Sequence, residues 1–134
     1  MAEKVKVEIG SAIPMEKVET MEIKGRDAIA GLPKAVVVSS SEITEAIQPY
    51  LLEMVNAIKG VLEATPPELS SDIVDKGMVL TGGTSMLRNL DRLFSVETGV
   101  PAHVAEEPLL CVVKGTGMAL ENLDTFKKNI TARK

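Results

Sequence analysis

The chain has no tryptophan, one tyrosine and two phenylalanines, so aromatic side chains make up only 2% of its 134 residues. A surface that grips single strands by stacking bases on aromatic rings cannot be assembled from so few. The formal charge of −4 points the same way, because a phosphate-tracking surface needs an excess of Lys and Arg. Nucleic acid is therefore not expected as a partner. One histidine, His103, leaves no basis for a metal site with several His ligands or for a Ser-His-Asp triad within this chain. One cysteine, Cys111, has no internal disulfide partner, and in the apolar run LLCVV it reads as a buried, reduced thiol. No stretch approaches the roughly 20 apolar residues of a membrane-spanning helix. The start, MAEKVKVEIG, lacks the apolar core of a signal peptide, so a cytoplasmic protein is expected.

What is present is a large aliphatic fraction. Apolar residues form 45% of the chain, seven of them Met, which is enough for a core built on Val, Ile, Leu and Met. The length is ordinary for one domain.

Read along the chain, the start AEKVKVEIGSA is ambiguous. Val5, Val7 and Ile9 alternate as in a half-buried strand, while the interleaved charges would also suit an exposed helix face; the local pattern favours the strand. KVETMEIK reads as a strand with Met21 and Ile23 on one face, followed by a turn at Gly25, Arg26 and Asp27. KAVVV is a β-branched run that should pair with it. Ser39 with Glu42 forms a capping-box pattern ahead of a helix reaching about Ala64. Its apolar face is expected to carry Ile43, Ile47, Tyr50, Leu51, Met54, Ile58, Val61 and Leu62, with a kink at Pro49. Thr65-Pro66-Pro67 should end it.

A short helix over 68–75 comes next, then the buried strand MVLT, then a helix from about Met86 to Val96 capped by Thr84 or Ser85, with Gly99 at its end. Residues 101–105 read as a strand, and a helical stretch from Pro108 is expected to break at Gly115 and Gly117. The basic tail FKKNITARK is expected to fray. Strand, glycines, helix, strand, helix is a βαβ unit on a mostly parallel sheet. Two strands this short make too small a sheet to be covered on both faces, which hints at strands lying elsewhere.

Candidate chemistry is sparse. Gly82-Gly83, in MVLTGGTSML, suits either a tight turn or a close backbone approach to a ligand beside a helix start, and on composition alone the turn is the commoner use. The pattern is neither a phosphate-binding GxxxxGK loop nor GxGxxG. Its place at the carboxyl end of a strand favours a ligand. Lys114-Gly115-Thr116-Gly117 reads as small residues that let the last helix pack closely on the sheet. Glu106-Glu107 reads as a solvated pair, and Glu3 with Lys6 as an i, i+3 ion pair if the first segment is helical. No catalytic constellation is visible.

Two long segments together carry a resemblance. The run TPPELSSDIVDKGMVLTGGTSMLRNLDRLFSVETGVPAHVAEEPLLCVVKGTGMALENLD resembles the C-terminal part of the MreB family, bacterial actin-like proteins of rod shape, and AEKVKVEIGSA resembles a segment of the same family. The resemblance implies an α/β fold: a partial actin-like (ribonuclease H-like) ATPase lobe with an inserted small α+β subdomain. It makes the first segment a helix lining a nucleotide cleft. Residues 1–14 with 77–134 would be part of subdomain IIA, on the adenosine side of that cleft, and residues 15–76 would be subdomain IIB. By motif position it implies a nucleotide site of Glu3 near the ribose or adenine, Lys6 beside it, Gly82, Gly83 and Thr84 as the adenosine motif, and Met86 against the base.

The implied cofactor is ATP or ADP. The family's phosphate loops, its water-positioning acidic residue and its membrane-binding element have no counterpart in these residues. Mg would therefore enter only through that other half of the site, and turnover by this chain alone is not expected. Implied partners are copies of itself or longer subunits of the family in a filament, the inner face of the membrane, and a membrane-anchored adaptor of the shape complex. The alternative is an interaction module that caps or regulates such filaments without binding nucleotide.

Overall fold

The structure, a computed structural model, describes residues 1–130, with side chains through Lys127. The first segment is a helix, α1 (Ala2–Ile9), which corrects the local reading as a strand and agrees with the family resemblance. The reason is its i, i+4 pair: Val5 and Ile9 are buried on one side, whereas Val7, which a strand would have placed with them, is exposed.

Strands β1 (Thr20–Arg26) and β2 (Pro33–Ser39) form an antiparallel ribbon in which Ile23 faces Val36 and Met21 faces Val38. Gly25 and Arg26 belong to the strand and not to the turn expected there. The turn is made one step later, where the Asp27 carboxylate accepts the backbone N–H groups of Ile29 (2.9 Å) and Ala30 (3.0 Å) and pairs with Lys34 (3.1 Å). Those contacts, the two backbone N–H groups first and the Lys34 ammonium after them, hold the Asp27 carboxyl below the usual carboxylate range.

Helix α2 (Ser40–Glu63) starts on the expected capping box. The Ser39 hydroxyl oxygen accepts the Glu42 N–H, and the Glu42 carboxylate accepts the Ser39 N–H at 2.8 Å. The helix continues through Pro49. Its buried line is Ser40, Thr44, Leu51 and Val55; Tyr50, Met54 and Val61, assigned above to the apolar face, are exposed. Successive residues of a 3.6-residue repeat drift around the axis, so a stripe 20 residues long shifts from one set of positions to the next. Helix α3 (Pro67–Lys76) ends at Gly77, whose φ of 78° and absent Cβ let the Pro101 carbonyl come close.

Strand β3 (Met78–Leu80) pairs in parallel with β4 (Ala102–Val104), and α4 (Leu90–Thr98) crosses between them. The helix expected from Met86 starts later. Gly83–Met86 form a single 3₁₀ turn, and Asn89 at φ 61° redirects the chain into α4. Gly99 ends α4 in the left-handed conformation, as expected.

The core lies between α2, α4 and this sheet: Leu51, Val55, Leu90, Phe94 and Ala12 are buried, with Met78, Leu80 and Ala102 packed against them. Helix α5 (Cys111–Glu121) runs unbroken through Gly115 and Gly117, and α6 (Leu123–Ile130) follows it. A Cβ at either glycine would meet nothing within 4 Å, so neither serves the close packing on the sheet that was expected. Cys111 is half-buried at the start of α5, not buried. Glu106 and Glu107 are exposed, and Glu107 pairs with Lys114. The tail expected to fray begins within α6 at Phe126; residues 131–134 lie outside the described residues.

Candidate functional site

Three segments far apart in sequence enclose a cavity of about 580 Å³: Glu3, Lys6 and Val7 from α1, Gly83, Thr84, Met86, Leu87 and Arg88 around the 3₁₀ turn, and Leu109 ahead of α5. That volume is within the range of small-molecule sites. Of the six residues implied by the resemblance, Glu3, Lys6, Gly83, Thr84 and Met86 line it. Gly82 does not. It stands behind the wall as the turn residue, at φ 86°, with its N–H donated to the Pro108 carbonyl (2.9 Å) and its carbonyl accepting the Ser85 hydroxyl (2.6 Å). Those two bonds fix Gly83 with its missing side chain toward Leu109, where a Cβ would sit 3.5 Å from Cδ2. Backbone therefore borders the cavity at Gly83.

On α1, positions 3, 6 and 7 fall on one helical side, which is why a single helix delivers all three. Lys6 Nζ lies 2.9 Å from Glu3 Oε2 at the expected i, i+3 spacing. Both side chains reach solvent, so the pair is worth only a few tenths of a kcal/mol, on the order of 0.3. Val7, Met86, Leu87 and Leu109 supply apolar walls, and Met86 is exposed. Arg88 completes the lining, with its guanidinium turned to the Glu8 carbonyl at the end of α1 and to Glu19 at 2.8 Å.

Val7, Leu87, Arg88 and Leu109 are lining residues that sequence reasoning missed. Val7 could have been found from its i, i+4 relation to Glu3 once α1 was taken as helical. Nothing local marks Arg88 or Leu109.

Apolar walls with Glu3, Lys6 and Thr84 among them can hold a flat, mostly apolar ring bearing hydroxyl groups: the carboxylate accepts hydroxyl hydrogens, and the threonine both donates and accepts. Among the described residues no group of three His, Cys, Asp or Glu could hold a metal ion. No helix among them is long and apolar enough to cross a membrane.

Comparison with known proteins gives a consistent result. The family model described as MreB/Mbl protein matches residues 1–128. The cell shape-determining protein MreB of Escherichia coli is 52% identical over 123 residues, and Mbl of Bacillus cereus 47% over 127. These alignments cover 92% and 95% of this chain but only 35% and 38% of the relatives, so the chain spans a little over a third of their length. Among solved structures, MreB5 of Spiroplasma citri bound to ADP superposes with a TM-score of 0.84 at 36% identity, over 98% of this chain and 39% of that one. The same protein bound to AMPPNP gives 0.84 at 34%, over 95% and 38%. The fold is accordingly part of an actin-like lobe, and the chain belongs to the MreB/Mbl family.

Proposed function

We propose that this chain carries the adenosine half of an adenine-nucleotide site within a subunit of nucleotide-dependent, shape-determining filaments. The observation that carries the proposal is the cavity itself, where α1, the 3₁₀ turn and Leu109 meet around Glu3, Lys6, Gly83, Thr84 and Met86. The ADP- and AMPPNP-bound MreB5 structures, to which 98% and 95% of the chain is similar, support it.

On this reading Met86, Val7 and Leu109 take the faces of the base, and the Gly83 backbone comes close because no side chain intervenes. The Glu3 carboxylate takes ribose hydroxyls and Lys6 holds that carboxylate in place. Bound nucleotide brings a phosphate tail and its Mg, which these residues do not grip; its state is what would vary in the filament. The same reading assigns residues 1–14 and 77 onward to subdomain IIA and residues 15–76 to IIB, and makes the partners further subunits of this family. The separation of the β1–β2 ribbon from the β3–β4 sheet supports that division. It also assigns a cytoplasmic location, with any membrane contact made through partners.

The test is a titration of the chain with adenosine, ADP and ATP, read by displacement of a fluorescent adenine nucleotide. Similar affinities for all three are expected, since only the nucleoside half has a home here. Guanosine competing as well as adenosine, or no saturable binding at millimolar ligand, would defeat the proposal.

A further inference from the structure

Among the described residues, Arg88 is the one cavity-lining side chain that is bonded to groups outside the cavity; Glu3 and Lys6 pair with each other within the lining. We infer that Arg88 is a positioning residue that couples the cavity to the first turn of α2 and the base of the β1–β2 ribbon, so that occupancy of the cavity sets the stance of that ribbon and helix. This rests on the adenine-nucleotide reading above and adds what an occupied cavity would regulate.

Two polar routes leave residues 88 and 89, and both end on α2. In the first, Arg88 Nη1 donates to Glu19 Oε2 at 2.8 Å and Nη2 to the Glu8 carbonyl. Glu19 is itself tied by its backbone to the start of α2: the Ser40 N–H donates to the Glu19 carbonyl (2.8 Å), and the Glu19 N–H to the Ser40 hydroxyl (3.1 Å). In the second, the Arg88 backbone forms an isolated parallel bridge with Ser11, and its carbonyl accepts the Ala12 N–H at 2.8 Å. Asn89, held at φ 61°, donates its side-chain amide to the Ser11 hydroxyl (2.9 Å), and the Ser11 carbonyl accepts the Thr44 hydroxyl (2.9 Å). Ser11, Ser40 and Thr44 are all buried, and no buried side-chain nitrogen or oxygen among the described residues lacks a partner.

At Ser11, Ser40 and Thr44 these routes are buried with every side-chain polar atom partnered, which leaves few alternative arrangements, so displacement arriving there is carried on and not absorbed. Arg88 is suited to start such a displacement. Its guanidinium is a rigid planar fork, and a flat ligand lying against it shifts both outward bonds together. The Arg88–Glu19 pair is about 40% exposed at each end (43% and 42%), so it adds little to stability; its consequence is geometric. Coupling of this kind is read as a response at the far end of the routes, at residues 19–26 and 40–44.

Amide hydrogen exchange read by mass spectrometry, with and without saturating ADP, supplies that response. In the unaltered chain, ADP is expected to slow exchange at residues 83–88 and also at residues 19–26 and 40–44. Glu19→Gln changes no residue of the cavity lining, since Glu19 meets the cavity only through Arg88. It should leave ADP affinity within about twofold and loop protection in place, while protection at residues 19–26 and 40–44 falls at least threefold, on the order of a lost local contact. Arg88→Lys, which cannot hold Glu8 and Glu19 at once, should lose the remote protection too, and it serves as the test if Glu19→Gln does not fold. Undiminished remote protection in these variants overturns the inference. Protection confined to residues 83–88 in the unaltered chain overturns it while leaving the nucleotide reading intact. No ADP-dependent protection anywhere overturns both.

Discussion

Gly82 and Gly83 are neighbours with opposite jobs, and paired substitutions should separate them. Gly82 sits at φ 86° and ψ 175°, a region essentially closed to residues with a Cβ, yet an added Cβ there would meet nothing within 4 Å. The cost of Gly82→Ala is therefore backbone strain alone, about 1–3 kcal/mol. At roughly 4 °C per kcal/mol for a chain of this size, the melting temperature should fall by about 4–12 °C. Gly83 has no such constraint, and its nearest neighbour would be Leu109 Cδ2 at 3.5 Å, an ordinary contact. Gly83→Val should then change stability by no more than about 0.5 kcal/mol, or roughly 2 °C. It should instead place two methyl groups where the backbone borders the cavity, and weaken adenine-nucleotide binding at least about tenfold, or 1.4 kcal/mol. Differential scanning fluorimetry measures the first effect and nucleotide titration the second. If Gly83→Val binds nucleotide as tightly as the unaltered chain while Gly82→Ala melts early, the pair is a turn and nothing more. If Gly82→Ala melts unchanged, the loop conformation described here is wrong.

Two further outcomes follow from the fold. Phe94, 2% exposed at the junction of α4 and α2, should lose about 3–5 kcal/mol on replacement by Ala; against a typical total of about 5–15 kcal/mol, urea unfolding should show a much lower midpoint with an unchanged slope. The Glu42 carboxyl is held below its usual range, first by the Ser39 hydroxyl and then by the Ser39 N–H. A depressed folded-state pKa means that its contribution is present above the unfolded value and is lost as pH falls through the folded one. Amides in the first turn of α2 should therefore open in acid, just below the ordinary carboxylate range. Glu42→Gln should flatten that dependence, and an unchanged acid profile by hydrogen exchange would count against the capping box as its source.

The elements of this chain were legible where local chemistry decides them. The Ser39–Glu42 box, the Pro66-Pro67 stop, the β-branched run of β2 and the αL glycine Gly99 each carry their own signal, and each stands where it was read. Reading failed where tertiary contacts override local pattern. Val5, Val7 and Ile9 alternate like a strand, but only Val5 and Ile9 find a core to enter, so the segment coils as α1. Tyr50 fits the helical repeat of α2 yet faces solvent, because the helix packs on α4 through the line that holds Leu51 and Val55.

The cavity is the extreme case. Its lining residues stand at positions 3, 6, 7, 83, 84, 86, 87, 88 and 109, and no period or spacing within a single chain relates an α1 carboxylate to a leucine about a hundred residues on. Family resemblance supplied Glu3, Lys6, Gly83, Thr84 and Met86 by motif position, but it offered nothing for Arg88. That residue's bonds run through a glutamate carboxylate and a backbone carbonyl, which could have come from anywhere in the chain. A motif identifies residues that touch a ligand more readily than residues that pass its presence on, because contact constrains residue type, whereas transmission constrains only arrangement. A glutamine at position 19 would leave every motif here intact, and on the inference above it would still disconnect the cavity from α2.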